Sequence, residues 1–272
     1  MIRRLTSPDA GRDLVRDINS DPDFSAPMLS TAEQIECTLI GAFEKPDHHV
    51  LGVFTDDVMT GLFVFLILED DRYMEMTVGL SRSARAYEEL FAYLSERYPG
   101  FRGDFVFNPG NHILRALLVQ RDALFYCEQQ KMVFRGPCPA VETSGVKPLS
   151  ARYRAQYAQM HSRDVYWTGE RVMEAPERFS VFVAVQDRTV VGYIDVTNCY
   201  EENEPFDIRV REPYRGKGWG KKLLAAAIKR NGSKGMGLLV DTDNVPAIKL
   251  YKWAGFVKAP GQNSITAVWD IR

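Results

Sequence analysis

Arg215-Gly216-Lys217-Gly218-Trp219-Gly220 lies between a strand-like run, Phe206 to Val210, and a helix-like run, Lys221 to Arg230. No other stretch constrains the fold as strongly. Three glycines on alternate positions strip away side chains, so a bound group can approach the backbone amides. The helix start that follows adds unpaired N–H groups aimed the same way. Arg211, Arg215, Lys217, Lys221 and Lys222 oppose only Glu212 in this window. Lys221 and Lys222 also sit near a helix start, where cations are unfavourable unless a bound anion reverses the local field. The stretch reads as an anion cradle.

Spacing excludes two other phosphate loops. A Walker loop needs four residues between its first glycine and a Gly-Lys pair followed by Ser or Thr, whereas Gly216 and Gly220 have three residues between them and Lys222 holds the hydroxyl position. The dinucleotide fingerprint wants two residues between its second and third glycines; Gly218 and Gly220 have one, and Leu223 stands where a later glycine could restore the pattern.

From about Val146 to Ile271 the chain instead resembles the GNAT superfamily of N-acetyltransferases. The resemblance rests on Ile208-Arg209-Val210, then Arg215-Gly216-Lys217-Gly218-Trp219-Gly220 running into Lys221-Lys222-Leu223-Leu224. Gly237 to Val240 follows as a strand, then Asn244, then a helix over Ala247 to Phe256 carrying Tyr251 and ending in Gly255-Phe256. The resemblance implies an acyl-coenzyme A site, with acetyl-CoA as the expected cofactor. Its expected contacts are Ile208, Arg209, Val210, Arg215, Gly216, Lys217, Gly218, Trp219, Gly220, Lys221, Asn244 and Tyr251.

The chain has 272 residues, 45% hydrophobic and 26% charged, enough for two ordinary cores. A formal net charge of -2 offers nucleic acid or membrane no global attraction, so neither is an expected partner and the basic cluster is a local device. Cys37, Cys127, Cys138 and Cys199 lack metal-ligand spacing and read as free thiols. Met1-Ile2-Arg3-Arg4 is not followed by an apolar signal core, and the run Val58 to Leu68 is too short to span a bilayer, so a cytoplasmic protein is expected.

A boundary falls between Arg135 and Gly145, where two prolines and two glycines interrupt all apolar periodicity. After it, Ser150 to His161 reads as a helix, Phe179 to Val185 and Thr189 to Val196 as a hairpin, and Ser264 to Asp270 as a final strand. The first half repeats this order. Strands are expected at Val50 to Phe54, Gly61 to Leu68, Met74 to Val78 and Asp104 to Phe107, with helices at Ala84 to Tyr98 and Asn111 to Tyr126 and a last strand at Met132 to Phe134. Asn108 and Asn244 follow their preceding helix starts at nearly equal distances, which points to duplication. At the loop position, however, the first half holds Leu80-Ser81-Arg82-Ser83-Ala84-Arg85, without glycine. The expected architecture is therefore α/β, with two GNAT-like domains in tandem, each a mostly antiparallel mixed sheet flanked by helices. A degenerate domain over 1–135 and a linker over 136–145 precede a catalytic domain over 146–272.

Acyl transfer from a thioester to an amine needs a neutral amine, a polarised carbonyl and a proton for the leaving thiolate. The resemblance places a splayed strand at Ile208 to Val210, with the Val210 N–H as oxyanion donor, and makes Tyr251 the acid. Alternatively Tyr251 is a core tyrosine beside Trp253. Asp207 is the expected base, with Glu204 as the neighbour that could substitute. Asn244 binds cofactor or caps the next helix. His48, His49, His112 and His161 show no partner spacing and read as structural or surface residues, and no metal site is suggested. Acceptor-side candidates are Tyr166, Trp167, Cys199, Tyr200, Glu201 and Glu202, whose acidic and aromatic character suits a small cationic amine. The favoured activity is acetyl transfer from acetyl-CoA to a small-molecule primary amine, with the first copy shaping the acceptor cleft or a homodimer interface. Open alternatives are transfer of a longer acyl or an aminoacyl group, and an acyl-CoA sensor without turnover.

Overall fold

The computed structural model describes residues 1–163 and 167–272. The chain starts with β1 (Ile2–Arg4), α1 (Arg12–Ile18) and a short α2 (Ala32–Gln34). Next come β2 (His48–Thr55), β3 (Val58–Leu68), β4 (Tyr73–Leu80), α3 (Ala84–Arg97), β5 (Arg102–Phe107), α4 (His112–Val119) and β6 (Leu124–Phe125). The middle runs through β7 (Gln129–Phe134), β8 (Val146–Pro148), α5 (Arg154–Ala158), α6 (Gly169–Glu174), β9 (Phe179–Gln186), β10 (Thr189–Thr197), β11 (Glu202–Asn203) and β12 (Pro205–Val210). Last are α7 (Trp219–Asn231), β13 (Gly235–Asp241), α8 (Val245–Ala254), β14 (Phe256–Lys258) and β15 (Ile265–Asp270).

Two compact units result. The first comprises Met1–Gln130 and Pro260–Arg272, the second Lys131–Ala259. In the first, a seven-stranded sheet of order β1-β2-β3-β4-β5-β15-β6 is covered on both faces. Successive side chains of a strand point to opposite faces, so Phe63 and Phe65 pack with Phe91, Phe105 and Trp269, while Leu62 and Val64 pack with Leu29 and Leu39. Burial on both faces explains why β3 is almost unbroken apolar sequence.

In the second unit, β9 and β10 form a hairpin in which Asp187 (φ 48°) and Arg188 (φ 64°) are both left-handed, as a tight two-residue turn requires. Val191 and Ile194 face α7 and α8; Val183, Val190 and Tyr193 face α5 and α6. Two four-stranded sheets result, β12-β10-β9-β8 and β11-β13-β7-β14.

The division corrects the expected boundaries. Residues 132–134 pair with β14 rather than closing the first domain, and β15 pairs with β5 rather than closing the second. The stretch 136–145 belongs to the second unit: Arg135 and Gly136 both donate their N–H to the Gly255 carbonyl at 3.1 Å. Gly136 lies so close to Gly255 that a Cβ there would come within 2.9 Å of its Cα. Two helices are shorter than their periodicity suggests, the first ending at Ala158 and α4 at Val119.

Candidate active site

Strand β12 leads into the glycine loop. Arg211 donates its N–H to the Val191 carbonyl at 2.8 Å, and Tyr193 lies opposite Arg209 in the antiparallel register. Hydrogen-bonded pairs alternate along such a ladder, so the N–H groups of Asp207 and Arg209 face β10 while those of Ile208 and Val210 face away. On that side β12 is a sheet edge. β13 pairs instead with β11, Glu202 opposite Gly235, in the other sheet. The expected splay is therefore present. Arg209 departs from expectation, because its N–H is committed to β10 and its guanidinium reaches the Met160 carbonyl at 2.9 Å.

At the loop, Gly216 (φ 74°) and Gly218 (φ 84°) adopt the left-handed conformation, and a Cβ on either would meet nothing within 4 Å. That is an open cradle over backbone amides, the form an anion site takes at a helix start. Gly218 is the N-cap of α7 and provides no side-chain cap. The surrounding cations rest on rings and carbonyls. Arg215 Nε donates to the Val210 carbonyl at 3.0 Å, Lys222 Nζ to the Ser144 carbonyl at 3.3 Å, and Lys217 and Lys221 stand 5.5 Å and 4.6 Å over the rings of Tyr214 and Trp253. Half-buried Trp219 packs against Gly145. Exposed Asn244 caps α8, its Oδ1 accepting the Ala247 N–H at 3.2 Å. Its counterpart in the first unit is Asn111, which caps α4 in the same way, and not Asn108.

Tyr251, on α8, is buried and packs edge-on against Phe256 at 5.7 Å rather than on Trp253. Burial, then the charges of Glu204 and Asp207, push its phenol up to about 12. Glu204 sits where β11 gives way to β12. Burial pushes its carboxyl up to about 7, against the opposing pull of Lys131 and a hydrogen bond from the Leu239 N–H on β13. It thus reaches into the splay, on the side where it acts on Tyr251.

Asp207 points to the other face, toward α5. The Tyr193 hydroxyl donates to its Oδ2, and His161 Nδ1 lies 4.0 Å from the same oxygen. His161 Nε2 is 2.7 Å from Oδ2 of Asp195, a fully buried carboxylate that also accepts the Tyr157 hydroxyl at 2.8 Å. Burial raises the Asp195 carboxyl, and the hydrogen bonds from His161 and Tyr157 oppose that shift. The reading of His161 as partnerless is corrected. Its partner is 34 residues away on β10, a distance that no local spacing reveals.

Of the acceptor-side candidates, Tyr166 lies outside the described residues. Trp167 packs on Phe179 at 4.9 Å, Cys199 is exposed, and Glu202 is tied to Lys131 Nζ at 2.6 Å. Among the described residues, no helix is long and apolar enough to cross a membrane.

Residues 147–256 match the model of the Acetyltransferase (GNAT) family. The uncharacterized N-acetyltransferase YycN of Bacillus subtilis (strain 168) is 31% identical over 107 residues, which cover 36% of this chain and 69% of that protein. The chain spans 20%, 54% and 50% of the length of three other curated relatives. A GCN5-related N-acetyltransferase from Sphaerobacter thermophilus has the same fold, with a TM-score of 0.70 at 16% identity over 100% of this chain and 96% of that one. A tandem GNAT protein from the clavulanic acid biosynthesis pathway gives 0.62 at 14% identity over 100% and 98%. The chain belongs to the GNAT acetyltransferase family, and its second unit contains the segment that carries the match.

Proposed function

We propose that the second unit transfers an acetyl group from acetyl-CoA to the primary amine of a small molecule. The observation that carries this reading is the uncapped start of α7, where two left-handed glycines leave the helix amides open beside a splayed strand. Residues 215–221 hold the pyrophosphate, whose charge the helix dipole and the lysines favour. Bound there, acetyl-CoA supplies an activated acyl group.

The Val210 N–H, turned away from β10, donates to the carbonyl oxygen as negative charge develops on it. The Tyr251 hydroxyl gives its proton to the departing sulfur and recovers one from the nitrogen that has formed the new bond. A phenol pushed up to about 12 stays protonated throughout the working range. Glu204 takes the base role in place of Asp207, for two reasons. A carboxyl near 7 accepts the proton of an ammonium without being so basic that it stays protonated. Asp207 is engaged by Tyr193 on the opposite face.

Free-thiol release by the full chain with acetyl-CoA and a panel of amines tests the reading. Amine-dependent release supports it. Tight coenzyme A binding without release from any amine supports the sensor instead, and absence of both overturns each.

A further inference from the structure

We infer that Asp207, backed by His161 and Asp195, anchors a second positive charge on the acceptor, so that the preferred substrates are diamines rather than simple amines. The inference rests on the acyl-transfer reading above.

The polar cluster beside β12 is short of donors. Nε2 of His161 faces the Asp195 carboxylate, and with the ring proton there Nδ1 is left with a lone pair. Among the described residues that nitrogen has no hydrogen-bond partner, and it is buried on a side chain 2% exposed. It faces Asp207 Oδ2 across 4.0 Å. Two acceptors at that separation can be bridged by one nitrogen that carries two N–H donors, about 2.9 Å from each. Asp207 is 32% exposed at the side chain, so the donor can arrive from solvent on that side. The nearby Arg209 guanidinium is spent on the Met160 carbonyl.

An alkylammonium has three N–H donors and one charge, which suits a carboxylate and an imidazole lone pair together. The stacked rings of His161 and Tyr193, 4.6 Å apart and 20° from parallel, fix the imidazole orientation. Asp195 fixes its tautomer, making His161 and Asp195 positioning residues and Asp207 the anchor. Asp207 and Glu204 lie on opposite faces of one strand end, so a cation on the first leaves the second free to serve the reacting amine.

The test compares α,ω-diamines of three to eight carbons with n-alkylamines of equal length, using the full chain. The expected result is at least tenfold higher kcat/KM for one or more diamines. Asp207→Asn should raise KM for those diamines at least tenfold, with kcat and alkylamine KM within twofold of wild type. His161→Gln keeps a donor for Asp195 and removes the lone pair facing Asp207, so it should raise diamine KM in the same direction with kcat unchanged. Equal use of both amine classes, or loss of kcat for both in Asp207→Asn, overturns the anchor while leaving acyl transfer standing. A protonated His161 that merely pairs both carboxylates gives that second pattern, with a lowered Tm. If neither class is turned over, calorimetric titration of 1,4-diaminobutane into the coenzyme A complex decides: binding lost in Asp207→Asn supports the anchor, and no binding to wild type overturns it.

Discussion

Helices α3 and α7 hold the same place in their two units, each following an antiparallel meander, yet their N-termini are finished in opposite ways. At α3 the Ser83 hydroxyl accepts the Ala86 N–H at 3.2 Å, and Ser81 Oγ accepts the Ser83 N–H at 3.0 Å. Arg82, at the position of the basic loop, is clamped by Asp17 and Asp21 at 3.0 Å and 2.7 Å. The chain just after Asp21 lies over the start of α4 as well: Asn108 Nδ2 donates to the Pro22 carbonyl at 2.8 Å, and a Cβ on Gly110 would come within 2.6 Å of Asp23. At α7 nothing comparable intrudes among the described residues. Gly218 leaves the amides open, and the cations stand over rings and carbonyls.

The strands tell the same story. β4 still pairs with β5 over four residues, Tyr73 to Met76, whereas β12 and β13 belong to different sheets. A helix start becomes an anion site only when its own chain does not satisfy it. The first unit satisfies its helix start with serines and residues 17–25; the second leaves that task to a ligand.

The largest effect expected from this contrast concerns Tyr251. Tyr251→Phe removes only the hydroxyl, so packing on Phe256 and coenzyme A affinity should persist while kcat falls by roughly 10²-fold to 10⁴-fold, the span of general acid catalysis. Wild-type turnover where chemistry limits the rate would make Tyr251 a core residue, as buried Tyr87 is in the first unit.

Glu204→Gln comes next, with a loss of about 10²-fold at pH 8. The sign follows from the raised carboxyl: the base works only when deprotonated, so wild-type kcat/KM should climb as pH rises through about 7 and then level. The Gln variant should lose that limb. If Asp207→Asn removes the limb and Glu204→Gln keeps it, the base assignment reverses.

Smallest is Ser83→Ala, which removes the cap that α7 lacks. It should lower stability by about 1 kcal/mol in denaturant titration and leave coenzyme A binding unchanged. A change in cofactor affinity would mean that the first unit is not closed.

How much of this could be read from the sequence follows physical lines. The glycine loop is legible because alternate glycines between a strand and a helix are a local property, whereas the splay and Tyr251 follow only from the family resemblance that the loop carries. The exchange of β7 and β15 was not, because a short alternating strand carries the same pattern whichever sheet receives it. Asp207 is favoured over Glu204 by the family resemblance alone, and only the packing shows Tyr193 engaging the first while Lys131 and the Leu239 N–H lie beside the second. His161 and Asp195 meet only through the packing of α5 on β10. Asn111 was passed over for Asn108 because both lie in one turn, and only the cap geometry separates them.

The exchange also fixes how the central claim must be tested, since cutting the chain near residue 135 would strip β15 from the first unit's sheet. The direct measurement is calorimetric titration of coenzyme A into the full chain and into Gly218→Glu, with circular dichroism to show that the variant is folded. One site per chain is expected in the wild type. The carboxylate placed beside the pyrophosphate at a left-handed position should weaken that site by at least about 10²-fold, through repulsion as well as bulk. Two sites per chain, or a folded Gly218→Glu protein that binds with wild-type affinity, would contradict the account.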